Sequence, residues 1–145
     1  MQSEAIIKAV KDVYAINTFM KHCGIKIKSI SCGKAAVGLT VNPAIHTNLS
    51  NKLHGGLLMT LVDNATGVAC AAVGKRVVTV SMTVDFIKSA SAGADIEAQA
   101  EIVSQHDDLF TMQVHVYDMS ANKLLATGIC TMLTIADFPQ IPAKW

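Results

Sequence analysis

The sequence lacks the marks of several protein classes. Lys and Arg number 12 against 11 Asp and Glu, so the chain has no basic excess of the kind that nucleic-acid-binding domains carry. No apolar run approaches the roughly 18 residues that cross a bilayer. Charged residues interrupt the first 14 positions, which argues against a signal peptide. These absences predict a cytoplasmic protein that binds neither nucleic acid nor membrane.

Cysteine and histidine are sparse and unclustered. The chain has four cysteines and five histidines, and neither set shows the short spacing of a metal site. Reduced thiols that fill the core in a reducing compartment are the favoured interpretation. We therefore expect no metal and no other cofactor. The cysteines are Cys23, Cys32, Cys70 and Cys130.

Apolar residues, by contrast, are abundant. They make up 51% of the 145 residues, which is rich for a monomer of this size. We interpret the excess as a subunit interface.

The sequence shows no repeat and no linker, so we expect a single domain over 1–145. A helical segment is expected at 1–24 and an irregular tail at 136–145.

Residues 53–72 form one long apolar segment with helical periodicity. Apolar residues cover most of the predicted cylinder, which is typical of a buried helix. The segment nevertheless carries one carboxylate, Asp63, near its middle. Burying an ionised carboxylate without partners is costly, so such a group is usually paired, protonated or functional.

The same helix is predicted to begin at His54-Gly55-Gly56, where two glycines leave backbone N–H groups approachable. A helix start carries unsatisfied donors and a partial positive charge, which suits a carbonyl oxygen that gains negative charge. Gly55 and Asp63 are eight residues apart, or about 12 Å along a helix. One substrate cannot meet both within a chain, so we predict a two-fold dimer with Asp63 of one protomer beside Gly55 of its partner.

The flanking segments predict an antiparallel sheet. Residues 3–15 indicate an amphipathic helix with Ser3 as its N-cap, and 17–24 a short turn. In one predicted strand, Val78 to Phe86 alternates strictly, with Ser81 on the polar face. A single buried helix with an antiparallel sheet is an α+β arrangement. The predicted strands are 25–31, 35–41, 77–87, 95–103, 110–117 and 124–135.

With these residues in place, the chain resembles the hotdog-fold acyl-CoA thioesterases of the PaaI-like group. The resemblance covers about 16–135 and is specific in Asn48, His54-Gly55-Gly56, Leu61-Val62-Asp63-Asn64 and Ser81. A lone His-Gly-Gly would be weak, but the spacing of the whole set is distinctive. The resemblance implies a helix wrapped by a curved antiparallel sheet. It also implies a homodimer or homotetramer that acts on acyl-CoA, with active sites at the dimer interface.

The resemblance further implies a role for each residue of the set. Gly55 N–H polarises the thioester carbonyl, and Asp63 of the partner chain is nucleophile or general base. Asn48 and His54 orient the carbonyl or the water, and Ser81 supports the water or Asp63. Some relatives have Glu where this chain has Asp63 and Thr where it has Gly67, and this departure bears on how the water is held.

Simpler roles compete with these assignments. Asp63 could brace a partner loop, and His54 could only cap the helix. Asn48 could only shape its turn, and Ser81 could be an ordinary face residue. A non-catalytic acyl-CoA-binding module and a hotdog enoyl-CoA hydratase are the alternative functions. The carboxylate argues against the first, and the closely spaced Asp and His of the second do not occur here. Exposed cations at strand ends are usually just solvated, but three of them could meet CoA phosphates: Lys75, Arg76 and Lys88.

Overall fold

The structure is a computed structural model that describes residues 2–145. Two short helices come first, followed by two strands, a long helix and four more strands. The helices are α1 (Gln2–Tyr14), α2 (Thr18–His22) and α3 (Gly55–Ala71). The strands are β1 (Lys26–Ser31), β2 (Lys34–Thr40), β3 (Lys75–Phe86), β4 (Asp95–His106), β5 (Leu109–Asp118) and β6 (Lys123–Asp137).

Within the described residues, the six strands form one antiparallel sheet in the order β1-β2-β4-β5-β6-β3. Every neighbouring pair is antiparallel, and β4, β5 and β6 follow one another as a meander. The chain then places β3, which comes before them in sequence, at the far edge beside β6. β1 and β3 are therefore the two edges of the sheet, and β3 is the one that directly follows α3.

Helix α3 packs against one face of the sheet, chiefly on β2, β3 and β4. Leu61, Val62 and Val68 are fully buried there, so the hydrophobic effect holds the helix to the sheet. The burial of α3 is not uniform, however. Less buried positions recur every three or four residues, which places them on one stripe of the helix. That stripe comprises Gly56, Met59, Thr60, Asp63, Asn64 and Gly67.

These features confirm the predicted α+β fold, a long central helix wrapped by a curved antiparallel sheet with an N-terminal helix. Several boundaries differ from expectation: β3 begins at Lys75 rather than 77, β4 ends at His106 rather than 103, and α2 lies within the predicted turn at 17–24. Helix α1 begins at Gln2, so Ser3 lies inside its first turn and is not the N-cap. Strand β6 continues to Asp137 because Ala136 and Asp137 pair with the start of β3, so the irregular tail begins at 138.

The strict alternation predicted for the third strand is wrong. The register between β3 and β6 shifts between Thr79 and Ser81, which leaves Val80 as an extra residue in a β-bulge. Thr79 therefore shares the helix-facing side with Met82 and Val84 rather than with Ser81. A bulge of this kind reverses the facing of every later residue, which the sequence pattern does not reveal.

The described residues contain no helix that is both long and apolar enough to cross a membrane.

All four cysteines are free, as the sequence predicts, and three of them are buried. Burial raises the pKa of the Cys70 thiol to about 12. It also raises the pKa of the Cys130 thiol to about 11, with a further contribution from the charge of Asp63. Both thiols stay protonated near neutral pH and are poor nucleophiles.

Candidate active site

The start of α3 is fixed by the side chain of His54. His54 is the N-cap residue, and its Nδ1 accepts a hydrogen bond of 2.9 Å from the backbone N–H of Gly56. The backbone N–H groups of Leu57 and Leu58 donate hydrogen bonds to the carbonyl oxygen of His54. Among residues 2–145, no acceptor meets the backbone N–H of Gly55. The cap thus satisfies the second amide of the helix and leaves the first free.

The free amide of Gly55 borders a surface cavity of about 260 Å³. Leu53, Leu58 and Phe86 provide apolar walls, and Lys88 lies at the same cavity. A Cβ added to Gly55 would sit 3.5 Å from the Phe86 ring, which is ordinary contact, so glycine is not required here by crowding within the chain. The cavity offers a donor at a helix start, with a cation nearby.

Asp63 lies on the open stripe of α3 and is half-buried. The hydroxyl of Thr79 on β3 donates a hydrogen bond to Asp63 Oδ1. No other side chain of the described residues donates to this carboxylate, so its second oxygen is free to act as a base or nucleophile. In the predicted strict alternation, Thr79 and Ser81 lie on the same polar face. The sequence therefore gives no reason to choose Thr79 over Ser81 as the partner of Asp63.

Helix α3 is continuous from Gly55 to Ala71. The rise between Gly55 and Asp63 is therefore about 12 Å, as the helical geometry predicts. A carbonyl group held at Gly55 does not reach Asp63 of the same chain. Both positions nevertheless lie against one strand, because Phe86 borders Gly55 and Thr79 binds Asp63.

Asn48 lies in a tight turn that precedes α3. Its Oδ1 accepts hydrogen bonds from the backbone N–H groups of Ser50, at 2.9 Å, and Lys52, at 3.1 Å. These contacts are those of a residue that shapes its own turn. The side-chain NH₂ of Asn48 has no acceptor among the described residues, so it remains available to a ligand.

The buried His46 supports the same loop. Its Nδ1 accepts from Asn42 N–H at 2.9 Å, and its Nε2 lies 2.7 Å from the carbonyl oxygen of Cys23. The carbonyl oxygen of His46 accepts a 2.9 Å hydrogen bond from His54 N–H. His46 therefore holds the loop that leads into α3 in place.

Ser81 is exposed and lies beyond the bulge in β3. It pairs with Thr131 of β6, whereas the helix-facing Met82 pairs with the buried Cys130. Ser81 therefore points away from α3 of its own chain and does not contact Asp63 there. Its predicted role, which concerns a site shared with a second chain, stays a prediction.

Tyr14, at the end of α1, is a second residue that the sequence does not single out. Its hydroxyl oxygen lies over Gly67, where an added Cβ would come within 2.6 Å of it. Burial raises the pKa of Tyr14, and the nearby Cys70 and Asp63 raise it further. The sequence points to Tyr14 only indirectly. Gly67, the residue that Tyr14 covers, occupies the position where some relatives have Thr.

Two other features lie outside this arrangement. A larger surface cavity of about 510 Å³ runs over β1, β2, β4 and β5 and contains none of these residues. Across residues 2–145, no three His, Cys, Asp or Glu side chains are grouped as a metal ion would need.

The sequence and the structure both match known thioesterases. The family model described as "Thioesterase superfamily" matches residues 51–124. The human protein named acyl-coenzyme A thioesterase 13 is 30% identical over 129 residues, which cover 87% of this chain and 91% of that protein. The Escherichia coli protein named acyl-coenzyme A thioesterase PaaI is 33% identical over 107 residues, covering 74% and 72% of the two chains.

A solved structure extends the match to almost the whole chain. The E. coli PaaI protein from the phenylacetic acid degradation operon aligns with a TM-score of 0.87 and 25% identity, and the alignment covers 95% of this chain and 99% of that one.

Proposed function

The chain belongs to the thioesterase superfamily, as a PaaI-like thioester hydrolase with the hotdog fold, and on that premise we propose that it hydrolyses an acyl-CoA thioester to the free acid and CoA. The names of its human and E. coli relatives support CoA as the thiol part of the substrate. One observation carries the proposal. A free helix-start amide and a half-buried carboxylate lie on one helix, about 12 Å apart.

A two-fold dimer through β3 brings these groups together. β3 is a sheet edge of 12 residues, and an edge that long is normally covered. Thr79, the fifth residue of β3, marks the position of Asp63, and Phe86, the last, marks that of Gly55. If two β3 edges pair antiparallel about an axis between residues 82 and 83, Thr79 of one lies opposite Phe86 of the other. Asp63 of one protomer then approaches Gly55 of its partner, twice per dimer.

The opposite edge of the sheet is a poorer candidate for this contact. β1 is only six residues long, carries exposed lysines at 26 and 28, and is bulged between Ile27 and Ser29. Lysines, bulges and short strands are the common means of preventing edge pairing. On β3, cations occur only at the first two positions, Lys75 and Arg76.

The chemistry follows from the two groups. The Gly55 N–H receives the carbonyl oxygen, and its hydrogen bond strengthens as that oxygen becomes an oxyanion. In one route an Asp63 oxygen attacks the thioester carbon, the C–S bond breaks, and water then hydrolyses the resulting anhydride. In the other, Asp63 takes a proton from a water molecule whose oxygen attacks the same carbon. Neither route requires a metal or another cofactor.

His54, Asn48 and Ser81 orient the thioester carbonyl, the water or Asp63. His54 Nδ1 is occupied as an acceptor, so a neutral imidazole carries its proton on Nε2, where it can donate to the carbonyl oxygen or the water. The free NH₂ of Asn48 can do the same. Ser81 faces away from its own α3, and we assign it to the water or carboxylate at the shared site.

We extend the assembly to a homotetramer. Exposed apolar side chains of β3 and β6 gather on the outer face of the sheet, which suits a second contact between dimers. They are Val78, Ile129, Leu133 and Ile135, with exposed fractions of 43%, 52%, 36% and 54%. The four free thiols suit a cytoplasmic location, where thiols remain reduced.

The test is a thioesterase assay over acetyl-, octanoyl-, palmitoyl- and benzoyl-CoA, with release of free thiol as the readout. We expect hydrolysis by the wild type and a fall in kcat of about 10²-fold or more in Asp63→Asn, because a positioned acid–base group contributes roughly 10²–10⁴-fold. Asp108→Asn, which neutralises an exposed carboxylate in the β4–β5 turn, is the matched control and should leave kcat unchanged.

Two results would contradict this function. Acyl-CoA binding without thiol release by the wild type would indicate a non-catalytic binding module. Full activity in a folded Asp63→Asn variant would mean that the carboxylate only braces the structure, and that the base lies elsewhere.

A further inference from the structure

The side-chain hydroxyl of Tyr14 lies beside the open stripe of α3 that carries Asp63. Tyr14 is the last residue of α1, and it continues the side of that helix on which Ile6 and Val10 are buried, because the three residues follow at intervals of four. Its hydroxyl oxygen lies over Gly67, 2.6 Å from the place that a Cβ would take. The glycine at 67 is therefore what allows the hydroxyl to approach the helix.

A hydrogen-bonded link holds the end of α1 against the same stripe. The backbone N–H of Asn17 donates to the carbonyl oxygen of Tyr14 at 3.0 Å. The side-chain nitrogen of Asn17 lies 3.4 Å from the side-chain oxygen of Asn64, the residue that follows Asp63. The position of Tyr14 beside α3 is thus held by hydrogen bonds as well as by packing.

The spacing between Tyr14 and Asp63 suits one water molecule. Gly67 lies one turn beyond Asp63, and the Cβ positions of such a pair are about 5–6 Å apart on a helix. The Tyr14 oxygen, close to the Cβ position of Gly67, is therefore near the carboxylate. Among the described residues, Thr79 donates to Asp63 Oδ1, and no hydrogen bond joins the carboxylate directly to the tyrosine. A water molecule that accepts from the hydroxyl and donates to Oδ2 spans this interval.

The Tyr14 hydroxyl is a protonated donor at neutral pH. Burial raises its pKa above the ordinary value for tyrosine, and the nearby ionisable groups of Cys70 and Asp63 raise it further. The hydroxyls of α3 itself are already engaged. Thr60 and Thr66 donate to backbone carbonyl oxygens of the helix, at 3.0 Å and 2.8 Å. Tyr14 supplies a donor that the helix does not provide.

Solvent has a route to this hydroxyl. Tyr14 borders an open surface cavity of about 330 Å³ between the end of α1, the start of β3 and the tail that follows β6. Its walls are mixed, with Asn17, Lys75 and Arg76 beside apolar residues such as Val77. Residues 2–145 include no buried side-chain nitrogen or oxygen without a hydrogen-bond partner, and this hydroxyl bonds to no group among them, so solvent reaches it.

We propose that Tyr14 is a further catalytic residue, whose hydroxyl binds the water molecule that Asp63 activates. This inference rests on the hydrolase function proposed above and selects its general-base route. The Tyr14 O–H donates to one lone pair of the water oxygen, and the other lone pair attacks the thioester carbon. As that C–O bond forms, a water O–H bond breaks and the proton passes to Asp63 Oδ2. The C–S bond then breaks with its electron pair on sulfur, and the thiolate of CoA takes the proton from Asp63. Tyr14 keeps its own proton throughout.

Tyr14→Phe tests the hydroxyl, because it removes that group and keeps the ring. With the substrate that the wild type hydrolyses fastest among the four acyl-CoA compounds, we expect kcat to fall about three- to tenfold, since one neutral hydrogen bond contributes roughly that much. KM should hardly change, because the hydroxyl contacts the water and not the substrate. Tyr117→Phe is the matched control and should keep the wild-type kcat, since Tyr117 lies on β5 and stacks with His115.

A hydroxyl returned from the other side of the same contact tests its position. Once the Tyr14 oxygen is gone, the nearest ring atom is 3.7 Å from a Cβ at Gly67, which is ordinary contact. Gly67→Ser added to Tyr14→Phe then restores a hydroxyl near the same place, whereas Gly67→Ala adds the same Cβ without one. We expect the serine combination to recover most of the lost kcat and the alanine combination to stay low.

The loss in Tyr14→Phe should also depend on the carboxylate. In Asp63→Asn the bound water has no base, so adding Tyr14→Phe should lower the residual kcat no further. A tyrosine that only supports the fold would lower kcat by the same factor in both backgrounds. That result would overturn the inference, as would a wild-type kcat in Tyr14→Phe, or a serine combination no more active than the alanine one. Circular dichroism checks that each variant is folded.

Failure of this inference differs from failure of the hydrolase function. A wild type that releases thiol, with a kcat that Asp63→Asn lowers and Tyr14→Phe does not, would overturn the role of Tyr14 alone. A wild type that releases no thiol from any acyl-CoA would overturn both.

Discussion

At the scale of single residues, the site depends on which side chain holds Asp63. The resemblance assigns support of this carboxylate or its water to Ser81, whereas Thr79 is the residue that contacts it within the chain. The difference arises from one bulged residue, Val80, which the sequence pattern hides because apolar and polar residues keep alternating through the bulge. The sequence shows that the helix carries a carboxylate, but it does not show that Thr79 binds it.

We expect Thr79→Val to lower kcat about tenfold or more. The valine keeps the shape of threonine but removes the hydroxyl that orients Asp63, and a hydrogen bond to a charged group contributes about 1.5–3 kcal/mol. Steady-state kinetics of the variant measures the effect, with Thr83→Val as the control. Thr83 is exposed on the other face of the same strand, and its replacement should leave kcat alone.

Equal losses of kcat in Thr79→Val and Thr83→Val would show that kcat depends on the integrity of β3 rather than on the hydroxyl of Thr79. Ser81→Ala belongs in the same series. A loss of kcat there supports its proposed role at the shared site, and no loss assigns it to the outer surface.

At the scale of elements, α3 combines packing and chemistry in one helix. Its apolar pattern predicted both the boundaries and the burial, because a helix that packs on a sheet must be apolar on the packed side. The open stripe that carries Asp63 was less visible, since Met59 and Gly67 interrupt its polar character. The packing of Tyr14 over Gly67 joins residues far apart in sequence, and no local pattern encodes such a contact.

His54 should prove to have two separable roles at the start of this helix. His54→Ala removes the cap of Gly56 N–H and should lower the free energy of unfolding by about 0.5–2 kcal/mol. His54→Asn restores a strong capping residue, so stability should return. Turnover should stay low in both variants, because neither has the imidazole Nε2–H. Urea unfolding and kcat are the two measurements.

Recovery of both stability and turnover in His54→Asn would reduce His54 to a capping residue. Unchanged stability in His54→Ala would instead mean that the hydrogen bond to Gly56 contributes little to the helix start.

At the scale of the whole molecule, the fold was largely predictable from the sequence, and the proposed activity depends on the assembly of two chains. Strand and helix order followed from alternation and periodicity, and the apolar excess pointed to an interface. The separation of Gly55 from Asp63 needed only the helical rise. The placement of β3 at the sheet edge was not readable, since it follows from the meander of β4, β5 and β6. That placement allows one edge strand to border both halves of the proposed shared site.

The shared site is tested most directly by mixing two inactive chains. Asp63→Asn removes the carboxylate, and Gly55→Pro removes the amide donor. The latter should fold, because Gly55 is the first helical residue, where proline is favoured, and His54 before it has extended backbone angles. Gly55→Ala is the control for the added bulk, since it keeps the N–H and its Cβ meets Phe86 only at ordinary contact distance.

Co-expression of the Asp63→Asn and Gly55→Pro chains gives mixed dimers in which one site has both lesions and the other has none. Random pairing makes about half of the dimers mixed, so activity should recover to roughly a quarter of wild type. Verified mixed dimers with no more activity than either variant alone would contradict the shared site, as would a stable, fully active monomer in light scattering.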